Sequence, residues 1–139
     1  MILDLARKNI RDIQDFPKEG ILFKDLTPVL QNAKLLKGLK DELTKIYLDK
    51  GITKVVGIES RGFILAPSVA MDLGAGFVPA RKPGKLPAAV KEIKYQKEYG
   101  FDAIQMHEDA LSPEDVVLVH DDLLATGGTM EAAIKLIQS

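Results

Sequence analysis

The sequence predicts an α/β fold: a doubly wound, mostly parallel sheet with helices on both faces. Three short apolar runs, Thr53 to Ile58, Phe77 to Ala80 and Val116 to Val119, have the length of a strand and lack polar alternation. Strands that read as continuous apolar runs are buried on both faces, as in parallel sheets. Segments with helical spacing separate them, and alternation of strand with helix is the pattern of an α/β domain.

Each element follows from its residues. Leu35, Leu39, Leu43 and Ile46 recur at helical spacing, and Gly51 follows where a C-terminal cap would sit. The run TKVVGI, Thr53 to Ile58, is the first buried strand. Phe63 to Leu73 read as a helix with Pro67 in its first turns and Gly74 at its end; Phe77 to Ala80 are the second strand. In the long segment Arg81 to Asp115, Pro83, Gly84 and Pro87 prevent regular structure early on, and a hairpin strand follows with Ile93 and Tyr95 facing inward. Val116 to Val119 are the third parallel strand, and a helix starts at Met130 with Ala133, Ile134 and Ile137 on its apolar side. Ligands of such sheets bind beyond the carboxyl ends of the strands, so the turns after Ile58 and Val119 share one crevice.

Composition narrows the class of function. The 139 residues make one domain, 1–139, and 46% hydrophobic residues supply its core. A formal net charge of −1 provides no field to recruit nucleic acid or an anionic membrane. No apolar run approaches the roughly 20 residues of a membrane span. The first residues, MILDLARKNIRDI, lack the uninterrupted core of a signal peptide. Cysteine is absent, which leaves the cytoplasm as the default address. His107 and His120 have no third ligand at zinc spacing.

The stretch VVLVHDDLLATGGT, Val116 to Thr129, carries the most chemistry. Its apolar run ends in two adjacent carboxylates, Asp121 and Asp122; Ala125, Thr126, Gly127, Gly128 and Thr129 then form a small turn before the helix. Backbone N–H groups of such a turn converge on one point and bind an anion. The carboxylates beside it favour a diol and a hard cation, so a sugar phosphate fits both halves. The turn Glu59-Ser60-Arg61-Gly62 offers a guanidinium fork for two phosphate oxygens and a glycine for close approach. Read alone, ESRG is an ordinary solvated turn and DD an ordinary strand end; their placement after two buried strands points to a site. Arg81 to Tyr99 holds six basic residues against Glu92 and Glu98. It is either a solvated loop and hairpin or a lid that closes over phosphates and excludes water.

These residues resemble the type I phosphoribosyltransferases. VVLVHDDLLATGGT is similar to the family's phosphoribosyl pyrophosphate signature, and its LLATGGT wording to that of the adenine-using members. IRDIQDFPKEGILFKDLTPVL, GIESRGFILAPSVA, RKPGKLP and EYG match further blocks in the family's order. The resemblance implies a type I phosphoribosyltransferase fold with a small hairpin lid. It implies purine salvage: transfer of the 5-phosphoribosyl group from phosphoribosyl pyrophosphate to adenine, giving AMP and pyrophosphate, with Mg²⁺ as cofactor. Ala125 to Thr129 would cradle the 5′-phosphate, and Asp121 and Asp122 would hold the ribose hydroxyls and Mg²⁺, directly or through water. Ser60 and Arg61 would hold pyrophosphate, in many members across a cis peptide before the serine. Arg81, Lys82 and Lys85 would reach pyrophosphate, in some members from the neighbouring subunit, which implies a homodimer. Glu98 would be the catalytic carboxylate on the purine, and Leu22, Phe23 and Lys24 would bind adenine, with Phe23 stacked on the ring. Beside this stand a hypoxanthine or other purine enzyme, a non-catalytic sensor of the donor, and an inactive fragment.

Three departures from the family pattern matter. His120 and Lys97 stand where aliphatic residues are usual, and the family continues past Ser139 through further strands. The expectation is that the C-terminal strands are missing. Val116 to Val119 should then pair on one side only, with the strand ending at Ile58, and the chain should be poorly stable or self-associating.

Overall fold

The structure is a computed structural model and describes residues 1–96, 100–124 and 127–139. It divides into two compact units, Met1–Ile46 and Tyr47–Ser139.

In the first unit, helix α1 (Ile2–Asn9) leads into a hairpin of β1 (Arg11–Gln14) and β2 (Leu22–Asp25), then α2 (Thr27–Leu30) and α3 (Ala33–Tyr47). The hairpin is antiparallel, with Ile13 opposite Phe23 and Asp12 opposite Lys24. The Asn32 side chain accepts the N–H groups of Lys34 and Leu35 at 3.0 and 3.1 Å and so caps the start of α3. Ala6, Val29 and Leu35 form the unit's core, with Ile2, Ile10 and Leu39 packed against them. A side chain at Gly38 would collide with Ile2, so the glycine is what lets the two helices approach. The expected C-cap at Gly51 is not where α3 ends. The helix stops at Tyr47, and Gly51 adopts φ +68° in the turn beyond.

The second unit builds the expected sheet. Three parallel strands run in the order β4 (Gly76–Ala80), β3 (Lys54–Ile58), β7 (Val117–His120). Val55 on one face packs under Ala66 and Ala70 of α4 (Ala66–Leu73). Val56, Ile58, Val78 and Ala80 on the other pack against Ala132, Ala133 and Leu136 of α5 (Gly128–Gln138) and Ile104 and Met106 of β6 (Phe101–His107). Helices therefore cover both faces, and each fully buried valine contributes about 1.5–3 kcal/mol. Strand β5 (Val90–Gln96) pairs antiparallel with β6; its alternating burial puts Ile93 and Tyr95 inward, as expected.

The elements differ in detail from expectation, for local reasons. Arg61–Phe63 form a separate 3-10 turn, and α4 begins only at Ala66, so Pro67 falls in its first turn, where a missing N–H costs nothing. Helix α5 begins two residues early, at Gly128, because Gly127 takes φ +85° and supplies the cap. Ile134 is exposed, and Ala132 and Leu136 fill its expected place. Strand β7 is shifted by one residue: Val116 O instead accepts Thr53 N–H at 2.9 Å, and His120 lies within the strand opposite Gly57. Among the described residues β7 pairs with β3 alone, the expected one-sided arrangement. No described helix is long and apolar enough to cross a membrane.

Candidate functional site

Strand β3 leaves the sheet at Ile58 and turns sharply through a cis Glu59–Ser60 peptide, the bond the resemblance implied. Phe63 N–H closes the 3-10 turn on Ser60 O at 3.1 Å, with Arg61 and Gly62 between them. Gly62 is buried against the end of β7: a Cβ there would lie 3.0 Å from His120 O and 3.3 Å from Asp121 Oδ1. Adjacent parallel strands thus deliver the two motif turns to one place, at the carboxyl end of the sheet. The turns touch.

Their side chains meet as well. Arg61 Nε lies 3.0 Å from Asp122 Oδ2, with Asp122 only 12% exposed and Arg61 47%. That carboxylate oxygen is buried and accepts no hydrogen bond from the described residues. The approach is therefore a charge contact, out of line for the N–H. Asp121 Oδ1 accepts the Asp122 N–H at 2.8 Å. Burial pushes the Asp121 carboxyl up to about 6; the Asp122 amide and Arg61 pull it down, and the Asp122 carboxylate pushes it further up. Burial also holds the His120 imidazole below its ordinary value, against the pull of Asp122. Burial thus favours the neutral form of His120.

Beyond the carboxylates, α5 opens with Gly127, and the first intrahelical bond runs from Glu131 N to Gly127 O at 2.9 Å. The positive end of the helix dipole thus lies at Gly127 and Gly128, an end suited to an anion. Thr129 sits in that first turn, and its hydroxyl lies 3.2 Å from Tyr95 OH. Ala125 and Thr126 lie outside the described residues, as does Glu98.

The end of β4 brings in the basic residues. Arg81 exchanges two backbone hydrogen bonds with Gln105 of β6, at 2.9 and 2.7 Å. Its guanidinium stands 5.7 Å over the Phe63 ring and donates through Nε to Glu59 Oε2 at 3.2 Å. Lys82 N–H donates to the same oxygen at 2.8 Å. A cavity of about 180 Å³ lies among these groups, lined by Glu59, Arg81, Lys82, Asp121 and Thr129 of the motifs and by Tyr95 and Asp102 of the hairpin. Of the site residues the sequence pointed to, the structure brings Arg61, Arg81, Lys82, Asp121, Asp122 and Thr129 together. Gly127 and Gly128 set the helix start beside them, and Ser60 forms the turn. Lys85 lies in an exposed stretch outside the cavity lining.

Sequence reasoning missed Glu59, Tyr95 and Asp102. Glu59 was visible beside Ser60, but its partners are 22 and 23 residues away. Leu22, Phe23 and Lys24 belong to the first unit, where they lie in β2. Phe23 packs edge-on to Phe16 with ring centres 5.0 Å apart, and Lys24 Nζ pairs with Asp12 Oδ1 at 2.7 Å.

Residues 25–139 match the family model described as phosphoribosyl transferase domain. The chain is 60% identical over 131 residues to the adenine phosphoribosyltransferase of Bacteroides fragilis, which covers 94% of this chain and 74% of that protein. Its structure is similar to that of adenine phosphoribosyltransferase from Rhodothermus marinus, with TM-score 0.93, 52% identity, and coverage of 99% of this chain and 78% of that one. It is also similar to an APRTase from Giardia lamblia complexed with 9-deazaadenine: TM-score 0.93, 50% identity, and coverage of 99% and 76%.

Proposed function

The chain belongs to the phosphoribosyl transferase family, and from that premise we propose that it transfers the 5-phosphoribosyl group of phosphoribosyl pyrophosphate to adenine, giving AMP and pyrophosphate. The observation that carries this reading is the meeting of two turns at the carboxyl ends of β3 and β7, with Arg61 Nε 3.0 Å from Asp122 Oδ2. A cationic fork, two carboxylates and a helix N-terminus at one spot suit a ligand that is at once pyrophosphate, diol and phosphomonoester. Relatives named for adenine at 60% and 52% identity support adenine as the base.

In this mechanism the N9–C1 bond forms while the bond from C1 to the pyrophosphate oxygen breaks, and its electron pair leaves with pyrophosphate. Positive charge gathers at C1, so most of the rate comes from positioning and from stabilising the leaving group. Asp121 and Asp122 accept hydrogen bonds from the ribose hydroxyls. The backbone of Ala125 to Thr129 holds the 5′-phosphate; Ser60, Arg61, Arg81, Lys82 and Lys85 hold pyrophosphate. Glu98 accepts the proton that the purine loses. Phe23 stacks on adenine, while backbone groups at Leu22 and Lys24 read its edge.

Mg²⁺ belongs to the same proposal, and the buried Asp122 Oδ2, which accepts no hydrogen bond, fits a hard cation. The described residues contain no cluster of three metal-binding side chains. Mg²⁺ is commonly held by one or two carboxylates, with water and substrate phosphates as its other ligands. When bound, it would neutralise charge on the donor's pyrophosphate. A homodimer and a cytoplasmic setting complete the reading, supported by the family pattern at Arg81 to Lys85 and by the absence of cysteine.

The test is pyrophosphate release with adenine, guanine and hypoxanthine offered in parallel, each with the donor and Mg²⁺. Release with adenine alone is expected. Release with the oxopurines alone would overturn the base, and donor binding without turnover would make the protein a sensor.

A further inference from the structure

We infer that Tyr95 is a positioning residue for the 5′-phosphate, acting through Thr129; this rests on the proposed reading of the α5 N-terminus as the phosphate site. Tyr95 stands on β5, and its ring packs on the core cluster that α5 helps to form. A phenylalanine would fill that space equally well. The hydroxyl is what needs a reason, and it lies 3.2 Å from Thr129 Oγ1, across 34 residues of sequence. Both residues line the cavity that also holds Asp121.

Proton accounting fixes the direction of the bond. A phosphate dianion has no proton to give, so a threonine that binds it must donate its single hydroxyl proton to it. Thr129 Oγ1 then has only lone pairs left for Tyr95, and Tyr95 must be the donor. The chain Tyr95 O–H to Thr129 O–H to phosphate oxygen points every proton the same way, and bonds aligned like this strengthen one another. Without the Tyr95 hydroxyl, Thr129 is free to turn its own proton elsewhere. The hairpin thereby orients one donor of a loop that is remote in sequence.

Ribose 5-phosphate tests this without catalysis, because it carries the same phosphomonoester. Its Kd is measured by calorimetry for the wild type, Tyr95→Phe, Thr129→Ala and the double variant, with melting temperatures alongside. Tyr95→Phe is expected to weaken binding about three- to tenfold, and the double variant to bind no worse than Thr129→Ala alone. An unchanged Kd in Tyr95→Phe, whatever its melting temperature, would make the contact purely structural and overturn the inference. Losses that multiply in the double variant would show that Tyr95 acts independently of Thr129, with the same consequence. A wild type that binds no ribose 5-phosphate would overturn the phosphate-site reading and this inference with it. Failure of adenine turnover while the binding pattern holds would overturn only the proposed reaction.

Discussion

Asp122 Oδ2 sits 3.0 Å from Arg61 Nε and still accepts no hydrogen bond among the described residues. A buried carboxylate oxygen left in this state costs about 1–3 kcal/mol. In the proposed function a ribose hydroxyl or a cation would remove that cost. Arg61 is drawn to the same carboxylate and is held near the place where pyrophosphate would arrive.

Asp122→Asn should therefore fold and yet lose about 2–4 kcal/mol of transition-state stabilisation, roughly 30- to 1000-fold in kcat/KM. An amide pairs less strongly with a diol, with Mg²⁺ and with Arg61. Steady-state kinetics on a variant of unchanged melting temperature measures this, and unaltered kcat/KM would reduce the carboxylate pair to a strand end.

Glu59 fixes two neighbours with one oxygen: Arg81 Nε at 3.2 Å and Lys82 N–H at 2.8 Å. Glu59→Gln keeps an acceptor for the amide and loses the charge that orients the guanidinium. About 1–2 kcal/mol of stability should go with it, together with a several-fold rise in KM for the donor. Adenine KM should not move. Thermal melts and two-substrate kinetics separate these effects, and an equal rise in both KM values would count against a local role at Arg81.

Glu98 lies outside the described residues, so its proposed role rests on the EYG block. Glu98→Gln should lower kcat about 100-fold or more and leave donor affinity within about a factor of two. In the proposed function the purine proton would reach this carboxylate and the donor's phosphates would not. Donor affinity falling with kcat intact would make Glu98 a partner of Lys97 instead.

At the opposite end of the sheet, Asp115 ties the starts of β3 and β7 together. Ser112 N–H and the Thr53 hydroxyl donate to it at 2.8 Å each, and Lys54 Nζ stands at 3.5 Å. The Ser112 amide first, then Thr53 and Lys54, hold its carboxyl below the ordinary value against the opposing effect of burial. A depressed acid stabilises the fold above its unfolded pKa of about 4 and loses that contribution as pH falls through the lower, folded value. Asp115→Asn should thus melt below the wild type at pH 7, and the two curves should converge below about pH 4. A gap that stays constant from pH 7 to pH 3 would contradict the assignment.

What could be read from the sequence followed periodicity and local chemistry. TKVVGI announces a buried strand because its apolar residues leave no solvent face, and Gly74 ends α4 in the left-handed conformation that glycine favours. The carboxylate pair and the ESRG turn were legible because each follows such a strand. Glu59 and Tyr95 were not, because their partners are distant in sequence and no local pattern marks them. Tyr95 reads as one inward position among several, and only the fold reveals that its ring packs while its hydroxyl reaches Thr129. The expected edge at Val116 to Val119 came out one residue late, since Thr53 takes the Val116 carbonyl that a strand partner would have used.

The contact between the two turns yields the sharpest expectation. Gly62 does not adopt a positive φ, so an alanine there meets no backbone strain, only space. That space is taken: the new Cβ would sit 3.0 Å from His120 O and 3.4 Å from Asp121 Cα, both backbone atoms that no side-chain rotation can move. The ESRG turn or the end of β7 must shift by a few tenths of an ångström. Overpacking of this kind costs about 1–3 kcal/mol, so the melting temperature of Gly62→Ala should fall. If the turns form one site, the same shift parts Arg61 from the carboxylates, and kcat/KM should drop by more than the loss of folded protein accounts for. Kinetics well below the melting transition decides the matter. Full activity there would mean that the two turns touch without acting together.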